Sequence, residues 1–159
     1  MKLDNGVVKL RIGAVYMPQE SRTLLKDIKE IYKAIDEEVK KAEKGEKILL
    51  MGDFNCKIGS AIPGNATEIS KGGRELLNLA NKNNLKILNT TKCCSGLWTR
   101  QQNDEQSVLD YVLVRDDDFT SVKSMIIDKE KDLTPYSLDL NGATKRTYTD
   151  HFMITCLMD

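Results

Sequence analysis

A chain of 159 residues, 40% hydrophobic and 30% charged, has the size and make-up of one globular domain with an ordinary core. Its 24 Lys and Arg balance 24 Asp and Glu, which excludes the global basic excess that drives duplex binding through counterion release. Any contact with nucleic acid must then come from a local patch, from metal ions or from sequence beyond this chain. No apolar run is long enough to span a bilayer, and the first residues lack the layout of a signal peptide. Cys56, Cys93, Cys94 and Cys156 show no CxxC spacing and stand beside a single histidine, which argues against a zinc site and for reduced thiols. An intracellular protein, nuclear or cytoplasmic, with no membrane contact is expected.

In chain order, residues 7–17 (VVKLRIGAVYM) are rich in β-branched and aromatic residues and stop at Pro18, which predicts a strand. Ser21 is placed to cap a helix in which Leu24, Leu25, Ile28, Ile31, Tyr32, Ile35 and Val39 recur at helical spacing, with Gly45 just beyond its end. The apolar run 47–51 (KILLM) reads as a strand buried on both faces, so strand, helix and strand form a parallel crossover. Residues 52–69 read as loop. Residues 70–84 read as a second helix with Leu76, Leu77 and Ala80 on its apolar face. Further strands are expected over 85–88, 96–100, 107–114, 122–128 and 152–157, with an acidic turn at 116–118 and a polar, irregular segment over 133–149. This mixed α/β pattern suggests sheets packed together with helices outside.

Three carboxylates fall at strand ends or edges. Asp53 follows KILLM in Gly52-Asp53-Phe54-Asn55, Asp110 lies in an otherwise apolar strand, and Asp150 precedes His151 at the entrance to the last strand. Carboxylates at the tips of neighbouring strands converge readily, and oxygen ligands of this kind suit Mg²⁺. If residues 53–55 are extended, Asp53 and Asn55 point the same way. The carboxylate can then orient a water or take its proton, while the amide donates to a phosphate oxygen. An imidazolium at His151 would stabilise charge developing on a phosphoryl group. Each position also has a plainer reading: a turn or helix cap at Gly52-Asp53, a solvent-facing Asp110 on an edge strand, and a structural or exposed His151.

Four segments together carry a resemblance. Gly52-Asp53-Phe54-Asn55 resembles the GD(F/L)N motif of the endonuclease/exonuclease/phosphatase superfamily, and Leu109-Asp110-Tyr111-Val112-Leu113 its (I/L)DYxL strand. Thr149-Asp150-His151 is similar to its terminal SDH, with Thr for Ser, and Val15-Tyr16-Met17-Pro18 to a strand ending in Tyr-x-Pro. All four stand in family order and cover most of the chain. The resemblance implies one partial domain over residues 1–159: the C-terminal half of a four-layered α/β sandwich, a mixed sheet with helices on its outer face. It implies Mg²⁺- or Mn²⁺-dependent phosphodiester hydrolysis, closest in flavour to the DNA endonucleases of non-LTR retrotransposons. In that pattern Asp53 is the base or orienter of water and Asn55 a phosphate ligand. His151 contacts the transition-state phosphate with Asp110 as its partner, Asp150 is a metal ligand, and Tyr16 reaches the scissile phosphate. Trp98 is a candidate wall against nucleic acid, with core packing as the alternative.

The family also carries a strand-borne Asn and a metal-binding Glu in an N-terminal half, and no residue before Tyr16 matches either. Two expectations follow: the chain by itself is inactive, and an apolar sheet face left bare drives self-association. DNA is the partner expected of the intact protein. A phosphatase or deadenylase of the same fold and a non-catalytic interaction module are the competing functions.

Overall fold

A computed structural model describes residues 1–4, 9–62, 68–128, 136–138, 144–146 and 150–159. A short strand β1 (Lys2–Asp4) pairs antiparallel with β2 (Lys9–Tyr16). The first predicted strand is therefore present over its described part, residues 7 and 8 lying outside the described residues. The helix α1 (Leu25–Lys40) begins later than Ser21 suggests. Ser21 sits instead within a 3₁₀ turn, Glu20–Arg22, and Thr23 adopts an extended conformation while its hydroxyl donates to the Gln19 carbonyl at 3.0 Å. That local bond holds the turn and postpones the helix, whose cap residue Leu24 makes no side-chain bond. The helix ends at Lys40 with a right-handed C-cap at Lys41, and Gly45, at φ +80°, makes the left-handed turn that leads into the next strand.

The next strand, β3 (Glu46–Asp53), lies parallel to β2, so the predicted crossover holds. Downstream come α2 (Lys71–Lys82), β4 (Leu85–Ile87), β5 (Cys94–Ser95), β6 (Arg100–Gln102), β7 (Glu105–Ser107), β8 (Asp110–Arg115), β9 (Val122–Ile127), the hairpin β10 (Tyr136–Leu138) and β11 (Thr144–Arg146), and β12 (Ile154–Met158). Ser70 is the N-cap of α2, its hydroxyl accepting from Gly73 N, and the helix begins one residue after the start the sequence suggests. Two expected strands are broken. Residues 96–99 leave the extended pattern where Gly96, at φ +98°, lies against Ile127. The run 107–114 splits into β7 and β8 because the buried Thr99 hydroxyl accepts from both Leu109 N (2.9 Å) and Asp110 N (3.0 Å). The acidic stretch after β8 is a 3₁₀ turn, Asp116–Ser121. The segment expected to be irregular contains the β10–β11 hairpin; residues 133–135, 139–143 and 147–149 lie outside the described residues.

Five strands form one mixed sheet in the order β1-β2-β3-β8-β4, and three form a second in the order β12-β9-β5. Period-two alternation sorts their side chains into two cores. Ile48, Leu50, Tyr111 and Leu113 face the helices and pack with Ile28, Tyr32, Leu76 and Leu79. Leu49, Val112 and Val114 face the other way and pack with Met125, Ile127 and Phe152 of the second sheet and the segment entering it. The result is the expected mixed α/β sandwich, with helices outside one sheet and a second sheet on its other face.

One expectation is corrected. The inner face of the five-stranded sheet is not bare at its centre, because β9 and β12 of the same chain cover it. The central strands of that face are therefore covered within the chain and do not themselves drive self-association. Exposed apolar side chains include Leu3 on β1 and Ile126, Met153 and Leu157 on and beside the second sheet.

Candidate active site

Strand register builds most of the site. Tyr16, the last residue of β2, stands beside Asp53, the last residue of β3, and Asp53 stands beside Asp110, the first residue of β8. The three therefore form a row across adjacent strands at one edge of the sheet. The β2–β3 contact is tight here: a Cβ on Gly52, at φ +144°, would lie 2.0 Å from the Val15 carbonyl oxygen. Only glycine allows β3 to run this close beside β2 and deliver Asp53 to the edge.

His151 joins the row from the far end of the chain. The segment 150–152 is stitched to the strand around Arg100 by Gln101 N→Asp150 O (2.7 Å), Phe152 N→Thr99 O (2.8 Å) and an antiparallel bridge between Arg100 and His151. Its Nδ1 then lies 2.9 Å from Asp110 Oδ2 and 3.1 Å from Oδ1. The carboxylate accepts from Nδ1–H, which fixes both the ring orientation and its tautomer. Burial, with the nearby Asp53 charge adding to it, pushes the Asp110 carboxyl above its ordinary value, against the lowering effect of Thr99 and His151.

Asn55 is placed differently from the extended geometry the sequence suggested. β3 ends at Asp53, and Asn55 takes φ +45°, folding its side chain back. Its backbone N–H donates to Asp53 Oδ1 at 2.8 Å, and its Nδ2 donates to Asp53 Oδ2 at 3.0 Å and to the Met17 carbonyl at 2.7 Å. Both amide hydrogens are thus engaged, and Asn55 holds the Asp53 carboxylate in a fixed orientation.

Tyr16, Asp53, Asn55, Asp110, Asp150 and His151 all line one open cavity of about 430 Å³. Tyr16 stands at its mouth, 80% exposed. Trp98 does not line it; it is half-buried and packs against both cores. Asp150 faces the cavity with its Oδ2 2.7 Å from Arg100 Nε. Burial alone would raise the Asp150 carboxyl, but the Arg100 hydrogen bond, reinforced by the adjacent backbone and by His151, holds it below its ordinary value. Thr149, the first residue of the motif, lies outside the described residues.

Sequence reasoning missed Arg100 and Thr99. Arg100 lines the cavity, and Thr99 sets the break that starts β8 at Asp110. Neither carries a pattern that separates it from an ordinary surface arginine or a core threonine.

One ligand atom each from Asp53, Asp110 and His151 can be chosen so that all lie within 4.8 Å of one another. Two carboxylates and an imidazole around an open cavity fit a divalent cation that keeps part of its water shell. Among the described residues no helix is long and apolar enough to cross a membrane.

No curated protein is significantly similar in sequence. Solved structures do share the fold. The endonuclease domain of TRAS1, a telomere-specific non-LTR retrotransposon, aligns with a TM-score of 0.62 at 17% identity, over 99% of this chain and 61% of that one. The 3′ phosphatase NExo from Neisseria, bound to product DNA hairpin, aligns with a TM-score of 0.64 at 18% identity, over 97% and 62%. TDP2 from D. rerio, complexed with single-strand DNA product, aligns with a TM-score of 0.58 at 13% identity, over 98% and 58%. The chain thus spans about three fifths of the length of each. The family model described as endonuclease-reverse transcriptase matches residues 10–153, nearly the whole chain, and the chain belongs to that family.

Proposed function

We propose that this chain carries the phosphoryl-transfer centre of a Mg²⁺- or Mn²⁺-dependent DNA endonuclease of the retrotransposon type. The observation that carries the reading is the convergence of Asp53, Asp110 and His151, three residues far apart in the chain, on one point of an open cavity. Membership of the endonuclease-reverse transcriptase family supports it. So does the fold shared with proteins whose structures were solved with DNA.

In this reading Asp53, oriented by Asn55, positions a water and takes its proton as the water oxygen attacks phosphorus. One P–O ester bond breaks, leaving a phosphate monoester on one end, while the departing oxygen takes a proton from solvent and becomes a hydroxyl on the other. His151, held by Asp110, donates to the phosphoryl oxygen on which charge accumulates. Tyr16, at the mouth of the cavity, contacts the same phosphate from the opposite side of the row. Asp53 and Asp110, whose carboxylate oxygens belong to the close group with His151, would hold the cation, with Asp150 on the same cavity wall reaching it through water. When bound, the cation would neutralise phosphate charge and lower the pKa of bound water. Asn55 donates to a phosphate oxygen by exchanging one of its present acceptors.

Among the described residues no Glu lines the cavity, so a cation would have few ligands, and this chain alone is expected to nick DNA poorly. The test is nicking of supercoiled plasmid in Mg²⁺ and in EDTA, comparing this chain with an N-terminally extended form. The reading expects clear Mg²⁺-dependent nicking by the extended form and little by the chain alone. Absence of nicking by the extended form in both Mg²⁺ and Mn²⁺ would refute it.

A further inference from the structure

Among the described residues, the cavity that gathers Asp53, Asp110 and Asp150 has a single arginine or lysine on its wall, Arg100. A phosphodiester approaching this site meets carboxylates first, and at short range in a partly buried cavity that repulsion is large unless a cation offsets it. Arg100 is built to do so. Its side chain is three-quarters buried, at 25% relative exposure, and its backbone pairs directly with that of His151. Asp150 Oδ2 accepts from Nε at 2.7 Å, and Gln102 Oε1 accepts from Nη2. A guanidinium carries five N–H donors, and among the described residues Nη1 has no partner. Two contacts thus fix the plane of the group and leave donors over for a ligand.

A purely structural role for this side chain is redundant. The backbone already ties the strand to residues 150–152 through Gln101 N, Phe152 N and the Arg100–His151 bridge. By contrast, the Arg11 side chain is spent on the protein itself, donating to buried Glu46 and to the Lys41 carbonyl.

We propose that Arg100 is a substrate-contacting residue whose guanidinium, braced by Asp150 and Gln102, grips a non-bridging oxygen of the polynucleotide phosphate that enters the cavity. The proposal rests on the nucleic-acid reading of the site and adds a phosphate contact that does not depend on the metal. A planar fork suits a phosphate, and lysine would supply the charge without the geometry.

The test is binding of a fluorescein-labelled single-stranded oligonucleotide to this chain, read by anisotropy in EDTA over a series of KCl concentrations. Arg100→Gln keeps a polar side chain of similar reach and removes the charge. It should weaken binding about tenfold and flatten the plot of log affinity against log salt by about 0.7. Arg100→Lys should restore the slope and recover only part of the affinity. Loss of a merely structural contact would lower the melting temperature and leave the salt slope unchanged, and that result would overturn the proposal. Wild-type affinity and slope in Arg100→Gln would overturn it too, with the nucleic-acid reading intact. If the wild-type chain binds no oligonucleotide, both readings fall together. Should Arg100→Gln fail to fold, Arg100→Lys decides: an unchanged slope with reduced affinity supports the fork contact, and unchanged affinity refutes it.

Discussion

His151 Nδ1 lies 2.9 Å from Asp110 Oδ2, although 41 residues separate the two in sequence. The contact depends on two pieces of backbone: the Thr99 hydroxyl that starts β8 at Asp110, and the bridge that lays His151 against Arg100. A carboxylate on Nδ1–H keeps the imidazole in one orientation and tautomer. Asp110→Asn retains the shape and removes that charge. In an active, N-terminally extended form it is expected to reduce plasmid nicking about a hundredfold or more. Thermal melts followed by circular dichroism should show a shift of only a few degrees, separating loss of chemistry from loss of fold.

Gly52 tests the strand register that delivers Asp53. A methyl group there would meet the Val15 carbonyl oxygen at 2.0 Å, backbone against side chain, with φ already at +144°. Gly52→Ala should cost about 3 kcal/mol or more and push β2 and β3 apart next to the catalytic row. Chemical denaturation should show the loss, and residual nicking should fall even where the variant remains folded. Wild-type stability would mean that the strands are not in this register.

Asp36 provides a stability prediction with a pH signature remote from the site. It is buried on α1, where its carboxylate accepts from Lys40 (2.7 Å), Lys82 (2.9 Å) and Asn83 (2.8 Å) and so ties α1 to the end of α2. Hydrogen bonds from Lys40, Lys82 and Asn83, in that order, hold its carboxyl well below the ordinary 3.8, against the opposing effect of burial. A group with a depressed folded-state pKa stabilises the fold above its unfolded value and loses that contribution as pH falls through the folded value. Asp36→Asn should therefore cost about 1–3 kcal/mol at pH 7, or several degrees of Tm. The gap to wild type should narrow as the pH drops below about 4. A gap that stays constant down to pH 2 would show that the carboxylate charge is not what matters.

The sequence made the fold class and the row of Tyr16, Asp53 and Asp110 legible for different reasons. The unbroken apolar runs in KILLM and DYVLV report two-sided burial directly, and the structure sorts those side chains into two cores. Asp53 and Asp110 stood out because a carboxylate beside such runs has no packing role. Hydrogen bonds made by side chains to remote backbone left no periodic trace. Thr99 breaking the 107–114 run is of this kind. The local bonds by which Thr23 delays α1 and Asn55 spends its amide on Asp53 leave no periodic trace either. Arg100 was invisible for a related reason: its importance comes from residues 150–152, fifty positions away in the chain.

The central claim is that Asp53 and His151 act on one phosphate as a single unit. Residues that share one transition state lose activity non-additively, because removing either already abolishes the concerted step. The decisive measurement is plasmid nicking in Mg²⁺ by Asp53→Ala, His151→Ala and the double variant, each in the N-terminally extended form. Each single change should lower the rate by several orders of magnitude, and the double should lie close to the slower single. Near wild-type nicking by either single variant, or losses that multiply in the double, would contradict a shared centre.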